Sequence, residues 1–367
     1  MFDRRLITHF DWGLLALTLL LGCVGSVVLY SAVHAGGSVN HDGLLVRQLF
    51  WFAIGGGVML FSLLFSYKRL DQWGVFIYAG GLLLLVGVMV FGRYGGGARR
   101  WLVLGPISIQ PSELMKIALC IILARYFAKT FTGEGLRIRD LVQPFLLVLF
   151  PFILIVQQPD LGTAILLFII GGSLTLFVGL KRHTFLTLMG AGLACVPMIW
   201  FFLKEYQKQR ILTFLDPGRD PLGTGYHIIQ SKIAIGSGQL FGKGFLGGTQ
   251  NALDFLPEQH TDFILSVLAE EWGFVGCAVL LFLYLLFLAW SLNVAYRCRD
   301  AFGTFLAVGI TVMNFWHIFI NMGMVMGLLP VVGVPLPMVS YGGSSVVTMF
   351  LGVGILLNIS MRRFIVD

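Results

Sequence analysis

Apolar residues run along this chain in long blocks separated by short polar breaks. Such blocks cover 12–33, 45–66, 72–92, 111–128, 141–157, 161–180, 184–203, 262–296, 301–328 and 341–361. Most match or exceed the roughly 20 residues that cross a bilayer. The pattern predicts an all-α polytopic membrane protein with about ten transmembrane helices. One large extracytoplasmic loop, 204–261, falls between helices 7 and 8. The blocks at 141–157 and 161–180 are short, and Pro159 breaks the run between them. The eighth is long and carries Glu270 and Glu271. No internal repeat, low-complexity tail or soluble domain interrupts the pattern, so residues 1–367 read as a single membrane domain.

Composition agrees. The chain is 57% hydrophobic and 12% charged, with a mean hydropathy of +0.87. A soluble chain carries about twice that charged share. The first apolar run is too long for a cleaved signal and lacks a cleavage site, so a retained first span is expected. Cys23, Cys120, Cys195, Cys277 and Cys298 are scattered and form no CxxC pair. They read as packing residues, with no disulfide framework and no metal site.

Ten spans place both termini on one side, and basic residues select it. Arg4, Arg5, Lys68, Arg69, Lys129, Arg137, Arg139, Lys181, Arg182, Arg297, Arg299, Arg362 and Arg363 share short loops or tails, predicted to be cytoplasmic. The opposite face still holds Arg93, Arg99 and Arg100 in one loop. It also holds Lys204, Lys208, Arg210, Arg219, Lys232 and Lys243 in the long one. A long loop crosses regardless of charge, but RWLVLG (100–105) and RILTFL (210–215) mix cations with apolar residues. Such segments suit an interface that handles a lipid phosphate. No nucleic-acid partner is expected.

Ionisable residues inside a bilayer are costly and point to function. In QPSELMK (110–116), Glu113 and Lys116 share a helix face at i, i+3. They suit either a structural ion pair or a reactive pair. In QQPDLGTA (157–164), Asp160 suits the N-cap of the sixth span, which is compatible with a role at a cation near phosphate. Glu270 and Glu271 are adjacent and cannot both face one partner.

The long loop is glycine-dense, with Asp-Pro turns. It holds no P-loop: Ser237 stands where the first glycine of GxxxxGK[ST] must be, and Gly244 follows Lys243. Its end, FLPEQHTDFIL (255–265), gathers Glu258, His260 and Asp262. The spacing fits neither HExxH zinc binding nor a nucleophile elbow. Asp262 suits a general base on a hydroxyl. It also suits a cap of the eighth helix, with Thr261 competing. The three prolines in PVVGVPLPMVSYGGSS (330–345) forbid regular helix. That segment suits a rigid plug, or a lining of the lipid site with Ser340 and the glycines near phosphate.

PSELMK, QPDLGTA, DPLGTGYHIIQSKIAIGSG (220–238), LPEQHTDFI and PVVGVPLPMVSYGGSS occur in this order. Together they resemble the SEDS family (shape, elongation, division and sporulation) over nearly the whole chain. The resemblance is to its elongation branch rather than its division branch. Gln239 stands where a glycine is usual. The resemblance implies a peptidoglycan glycosyltransferase of the rod-shape elongation complex in the bacterial cytoplasmic (inner) membrane. It implies lipid II as substrate, chemistry on the extracytoplasmic side, and a class B penicillin-binding protein as partner. It assigns Asp262, Glu113 and Lys116 to catalysis. Arg210, Arg99, Arg100, Asp160, His260 and Ser340 are the candidate substrate-binding residues. The sequence requires no cofactor, although a divalent cation such as Mg fits the task of neutralising pyrophosphate. The rival class is a lipid II flippase. It would need charges along a transbilayer path, whereas the polar cluster crowds one face.

Overall fold

All ten predicted spans are helices in the computed structural model, which describes residues 9–34, 43–95, 98–105, 107–131, 133–203, 205–220, 223–253, 255 and 259–363. Arg4, Arg5, Lys204, Glu258 and most of the 34–44 loop lie outside the described residues. The long helices are α1 (Trp12–His34), α2 (Gly43–Leu64), α3 (Lys68–Phe91), α4 (Pro111–Thr130), α5 (Val142–Gln157), α6 (Leu161–Val178), α7 (Arg182–Phe202), α11 (Ile264–Arg297), α12 (Ala301–Val325) and α13 (Gly343–Arg362). Eight of the predicted spans are long and apolar enough to cross a bilayer. Of the other two, α4 carries Glu113, Lys116, Arg125 and Lys129. A helix so charged belongs inside the bundle rather than against lipid.

The packing places it there. α4 contacts α3, α6 and α12, while α13 packs on α2 and α11 packs on α12 and α1. Of the apolar stretch of α13, 89% of residues are buried, against 22% for α2 and for α3. So α4, α12 and α13 form the interior, and α2 and α3 present apolar surface outward. Small residues permit the close approaches. A Cβ at Gly162 of α6 would overlap the Val332 carbonyl, and one at Gly25 of α1 would lie 2.5 Å from the Met338 carbonyl oxygen. These contacts seat the proline-rich 330–341 segment between α1 and α6. His9, Phe10 and Asp11 line one pocket with Arg297, Ser360 and Arg363, so both chain ends meet at one end of the bundle.

Two expected loops are ordered structure. The 93–110 segment is a three-stranded antiparallel sheet: β1 (Arg93–Gly95), β2 (Ala98–Leu104) and β3 (Ile107–Ile109). Leu102 pairs with Ile109, and Tyr94 with Arg99. The 204–261 segment holds α8 (Glu205–Leu215), α9 (Thr224–Gly238) and α10 (Thr249–Ala252). The long eighth span is also broken. Gly273 sits at φ 64, ψ −160 inside α11, a conformation that favours glycine. The freed backbone groups are taken up by the incoming loop. Lys243 N donates to Glu270 O (3.0 Å), Gly244 N to Glu271 O (2.9 Å), and Phe274 N to Gln239 O (2.8 Å). Residues 274–297 alone reach across the roughly 30 Å of bilayer hydrocarbon.

The break also resolves the two glutamates. Glu270 Oε1 accepts from Lys243 Nζ at 2.6 Å, and Glu271 Oε1 from Ser31 Oγ of α1 at 2.5 Å. Adjacent on the helix, they face different partners, as their spacing requires.

Candidate active site

At the end of the bundle opposite the chain termini lies a cavity of about 470 Å³. Glu113 and Lys116 of α4, Asp160 before α6, Arg100 of β2 and Asp262 before α11 all line it. So do Trp51, Gln110, Gly333, Tyr341, Gly342, Gly343 and Ser345.

Glu113 and Lys116 lie one helical turn apart. Lys116 Nζ donates to Glu113 Oε1 at 2.7 Å, and both side chains are almost wholly buried. Lys116 Nζ is also 2.7 Å from His317 Nε2 on α12. His317 Nδ1 lies 2.7 Å from the Met313 carbonyl oxygen. A carbonyl only accepts, so Nδ1 carries the proton and Nε2 offers its lone pair to the lysine. The buried ammonium therefore has a carboxylate and a neutral imidazole as acceptors.

Asp262 sits in the turn that leads into α11. The N-cap position there is Phe263, without a side-chain cap bond. Neither Asp262 nor Thr261 therefore occupies the N-cap position itself. Asn321 of α12 fixes the turn, donating from Nδ2 to Asp262 O at 2.9 Å and to Val334 O at 2.7 Å. A Cβ on Gly333 would lie 3.3 Å from Asp262 Oδ2, so the glycine leaves space beside the carboxylate.

Asp160 takes the capping role expected of it. Its Oδ1 accepts from Thr163 N at 3.4 Å, and its Oδ2 accepts from Thr163 Oγ1 and Gln110 Nε2, each at 3.0 Å. It caps α6 and also faces the cavity.

The remaining candidates divide. Arg99 and Arg100 are neighbours on a strand, so their side chains point to opposite faces. Arg100 faces the cavity and donates to the carbonyls of Gln158 and Pro159. Arg99 is exposed and does not line it. Arg210 of α8 donates to Val331 O at 3.3 Å, bracing the proline-rich segment from outside. His260 receives the Tyr341 N–H on its carbonyl at 2.9 Å. Ser340 is buried: its Oγ donates to Thr261 O at 2.6 Å and accepts from Leu336 N at 2.8 Å. The expectation that Ser340 lines the lipid site is corrected. It ties the Asp262 turn to the proline-rich segment, and Gly342, Gly343 and Ser345 line the cavity instead.

His317 and Asn321 were missed in the sequence. Their signal was present: MNFWHIFINM (313–322) places Asn314, His317 and Asn321 on one face of an apolar helix. Among the described residues, no cluster of three or more His, Cys, Asp or Glu side chains forms a metal site.

Comparison with known proteins agrees with this architecture. The model for the FtsW, RodA and SpoVE cell cycle proteins matches residues 11–364. The chain is 42% identical over 356 residues to the peptidoglycan glycosyltransferase MrdB of Escherichia coli K12, covering 97% of this chain and 94% of that one. It superposes with a TM-score of 0.82 and 36% identity on a chain solved under the description "Structural coordination of polymerization and crosslinking by a peptidoglycan synthase complex", covering 97% of this chain and 98% of that one. The crystal structure of the Thermus thermophilus rod shape determining protein RodA matches with a TM-score of 0.71 and 32% identity, with the same coverage. The chain belongs to the FtsW/RodA/SpoVE family of cell cycle proteins.

Proposed function

We propose that the cavity polymerises lipid II into β-1,4 glycan strands during rod-shaped elongation. The chain is a peptidoglycan glycosyltransferase, as its curated relatives are named. The observation that carries the reading is one cavity lined by Asp262, a carboxylate outside the helix-capping position, and by the cations Lys116 and Arg100.

The chemistry follows from that set. The donor sugar is α-linked to undecaprenyl pyrophosphate and the product is β-linked, so one in-line displacement gives the inversion. The proton of the acceptor 4-hydroxyl passes to Asp262. The hydroxyl oxygen bonds to the anomeric carbon. The bond from that carbon to the pyrophosphate oxygen breaks, and its electron pair leaves with the pyrophosphate. Lys116 and Arg100 neutralise the growing charge in a site where protein replaces most water. Glu113 holds Lys116. Asp160 and Asp262 both face the cavity. One or two carboxylates plus substrate phosphates is the donor set a magnesium-type cation takes, and such a cation would share the neutralisation.

The site lies opposite the termini, so the basic loops that place the termini in the cytoplasm place it on the extracytoplasmic side. There it meets lipid II from the outer leaflet. A class B penicillin-binding protein is the partner that cross-links the strands. The relative solved within a peptidoglycan synthase complex supports this pairing.

The test uses purified protein with lipid II, alone and with a cognate class B penicillin-binding protein. Glycan strands resolved by gel should form with wild type and vanish with Asp262→Ala and Asp262→Asn. Full polymerisation by Asp262→Asn would remove the base assignment. No strands from wild type, with lipid II crossing vesicles when the protein is added, would establish a flippase.

A further inference from the structure

We propose that neutral His317 is a positioning residue that aims the Lys116 ammonium into the cavity, with α12 setting the spacing between Lys116 and Asp262. This rests on the reading of Lys116 as a pyrophosphate-facing cation.

An ammonium has three donors in a tetrahedral array. Glu113 Oε1 takes one and His317 Nε2 a second, both at 2.7 Å. The third direction is then fixed, and Lys116 lines the cavity. His317 is fully buried and does not line it. It therefore acts only through Lys116. Its own orientation is locked by the Nδ1–H bond to Met313 O.

Glu113 shows why a second acceptor is needed. Its Oε2 is buried and has no hydrogen-bond partner among the described residues. Without His317, Lys116 has one acceptor group, and that group has a second oxygen to offer. The ammonium would swing onto both carboxylate oxygens and turn from the cavity. The imidazole competes for the ammonium without adding negative charge, so the ammonium rather than the carboxylate is turned toward the cavity.

The same helix holds the other half of the site. Asn321, one turn beyond His317, anchors the backbone of Asp262 and of Val334. The two anchor residues are about 6 Å apart along α12. Base and leaving-group cation must act on opposite faces of one anomeric carbon, so their separation is part of the chemistry. One rigid helix supplies that ruler.

The test separates the two ring nitrogens. Asparagine reproduces the Nδ1 donor and lacks an acceptor at the Nε2 position. Glutamine reaches the Nε2 position. His317→Asn should lower kcat for lipid II polymerisation about 10- to 100-fold, the usual effect of misplacing a transition-state donor. KM should change less than about 3-fold. His317→Gln should restore kcat to within about 5-fold of wild type. Lys116→Met is measured beside them. If Lys116→Met polymerises normally, the reading of the site is wrong. If Lys116→Met is dead while His317→Asn has wild-type kcat, the positioning role is wrong. Equal loss in His317→Asn and His317→Gln also overturns it. Should either variant misfold, wild-type protein in lipid with ¹⁵N-histidine and ¹⁵N-lysine decides. An unprotonated imidazole Nε2 close in space to a lysine Nζ is expected, and a protonated Nε2 there refutes the proposal.

Discussion

Removing the Glu270 side chain should release Thr249 and Gln250, at the start of α10, from the break in α11. Glu270 is 1% exposed. Its Oε1 accepts from Lys243 Nζ (2.6 Å), Thr249 N (2.8 Å), Thr249 Oγ1 (3.0 Å) and Gln250 N (3.1 Å). Two of these donors are backbone amides at the start of α10, a helix too short to hold itself together. Breaking a buried pair by deleting one partner costs about 3–5 kcal/mol, because the other groups stay desolvated. Lys243 is partly exposed and recovers water, so the low end, about 3 kcal/mol, is expected for Glu270→Ala. At about 1.4 kcal/mol per factor of ten, this speeds exchange of the Thr249 and Gln250 amides by roughly 100-fold. Glu270→Gln keeps an acceptor oxygen and loses the charge, so roughly a tenfold change is expected. Hydrogen exchange with mass spectrometry on protein in nanodiscs reads both. The amides of Lys243 and Gly244 donate to backbone carbonyls of Glu270 and Glu271. They serve as an internal control and should change less. Unchanged protection at Thr249 and Gln250 in Glu270→Ala would refute the latch.

Two further outcomes follow from the site. Arg100→Ala should reduce strand synthesis by roughly 100-fold, whereas Arg99→Ala, on the opposite strand face, should stay within about 3-fold; equal losses on the gel would contradict the alternation. Ser340→Ala leaves Leu336 N without its buried acceptor and removes the donor to Thr261 O, so thermal unfolding should show a loss of about 1–3 kcal/mol, while the cavity-facing Ser345→Ala should leave stability nearly unchanged.

The helices were legible because the bilayer imposes one strong rule. Backbone groups must be satisfied within the span, so a long apolar run is a helix. Even α4 could be read despite its charges, because Pro111 at its start and the i, i+3 pair mark a helix. The sheet at 93–109 was not legible, since three short strands barely exceed a loop in pattern and their pairing is fixed by neighbours. The break at Gly273 was hidden for a related reason. Glycine is common in membrane helices, and only the incoming 239–244 segment distinguishes this one from the rest. In the site, the short motifs pointed to Asp262, Glu113, Lys116 and Asp160 because unusual residue types stand out against apolar sequence. Ser340 was misjudged because a motif gives no direction to a side chain. Arg99 could have been separated from Arg100 only once the strand was known.

The directions of the helices explain why acids and cations share this cavity. Four helices begin at it: α4 with Glu113, α6 with Asp160 as its cap, α11 just after Asp262, and α13 with Gly343 and Ser345. A helix N-terminus carries about half a positive charge and several unpaired N–H groups. Glu113 and Asp160 therefore sit where negative charge is favoured, which offsets part of the cost of burying them. Glu113 is further neutralised by Lys116, and Asp160 by three hydrogen-bond donations. Arg100 and the start of α13 remain directed at the cavity, and an arriving pyrophosphate would find them in place. Asp262 stands just ahead of the start of α11. Asn321 holds its backbone carbonyl. The positive helix starts thus offset the buried carboxylates of Glu113 and Asp160 and leave Arg100 and the start of α13 as the positive wall of the cavity.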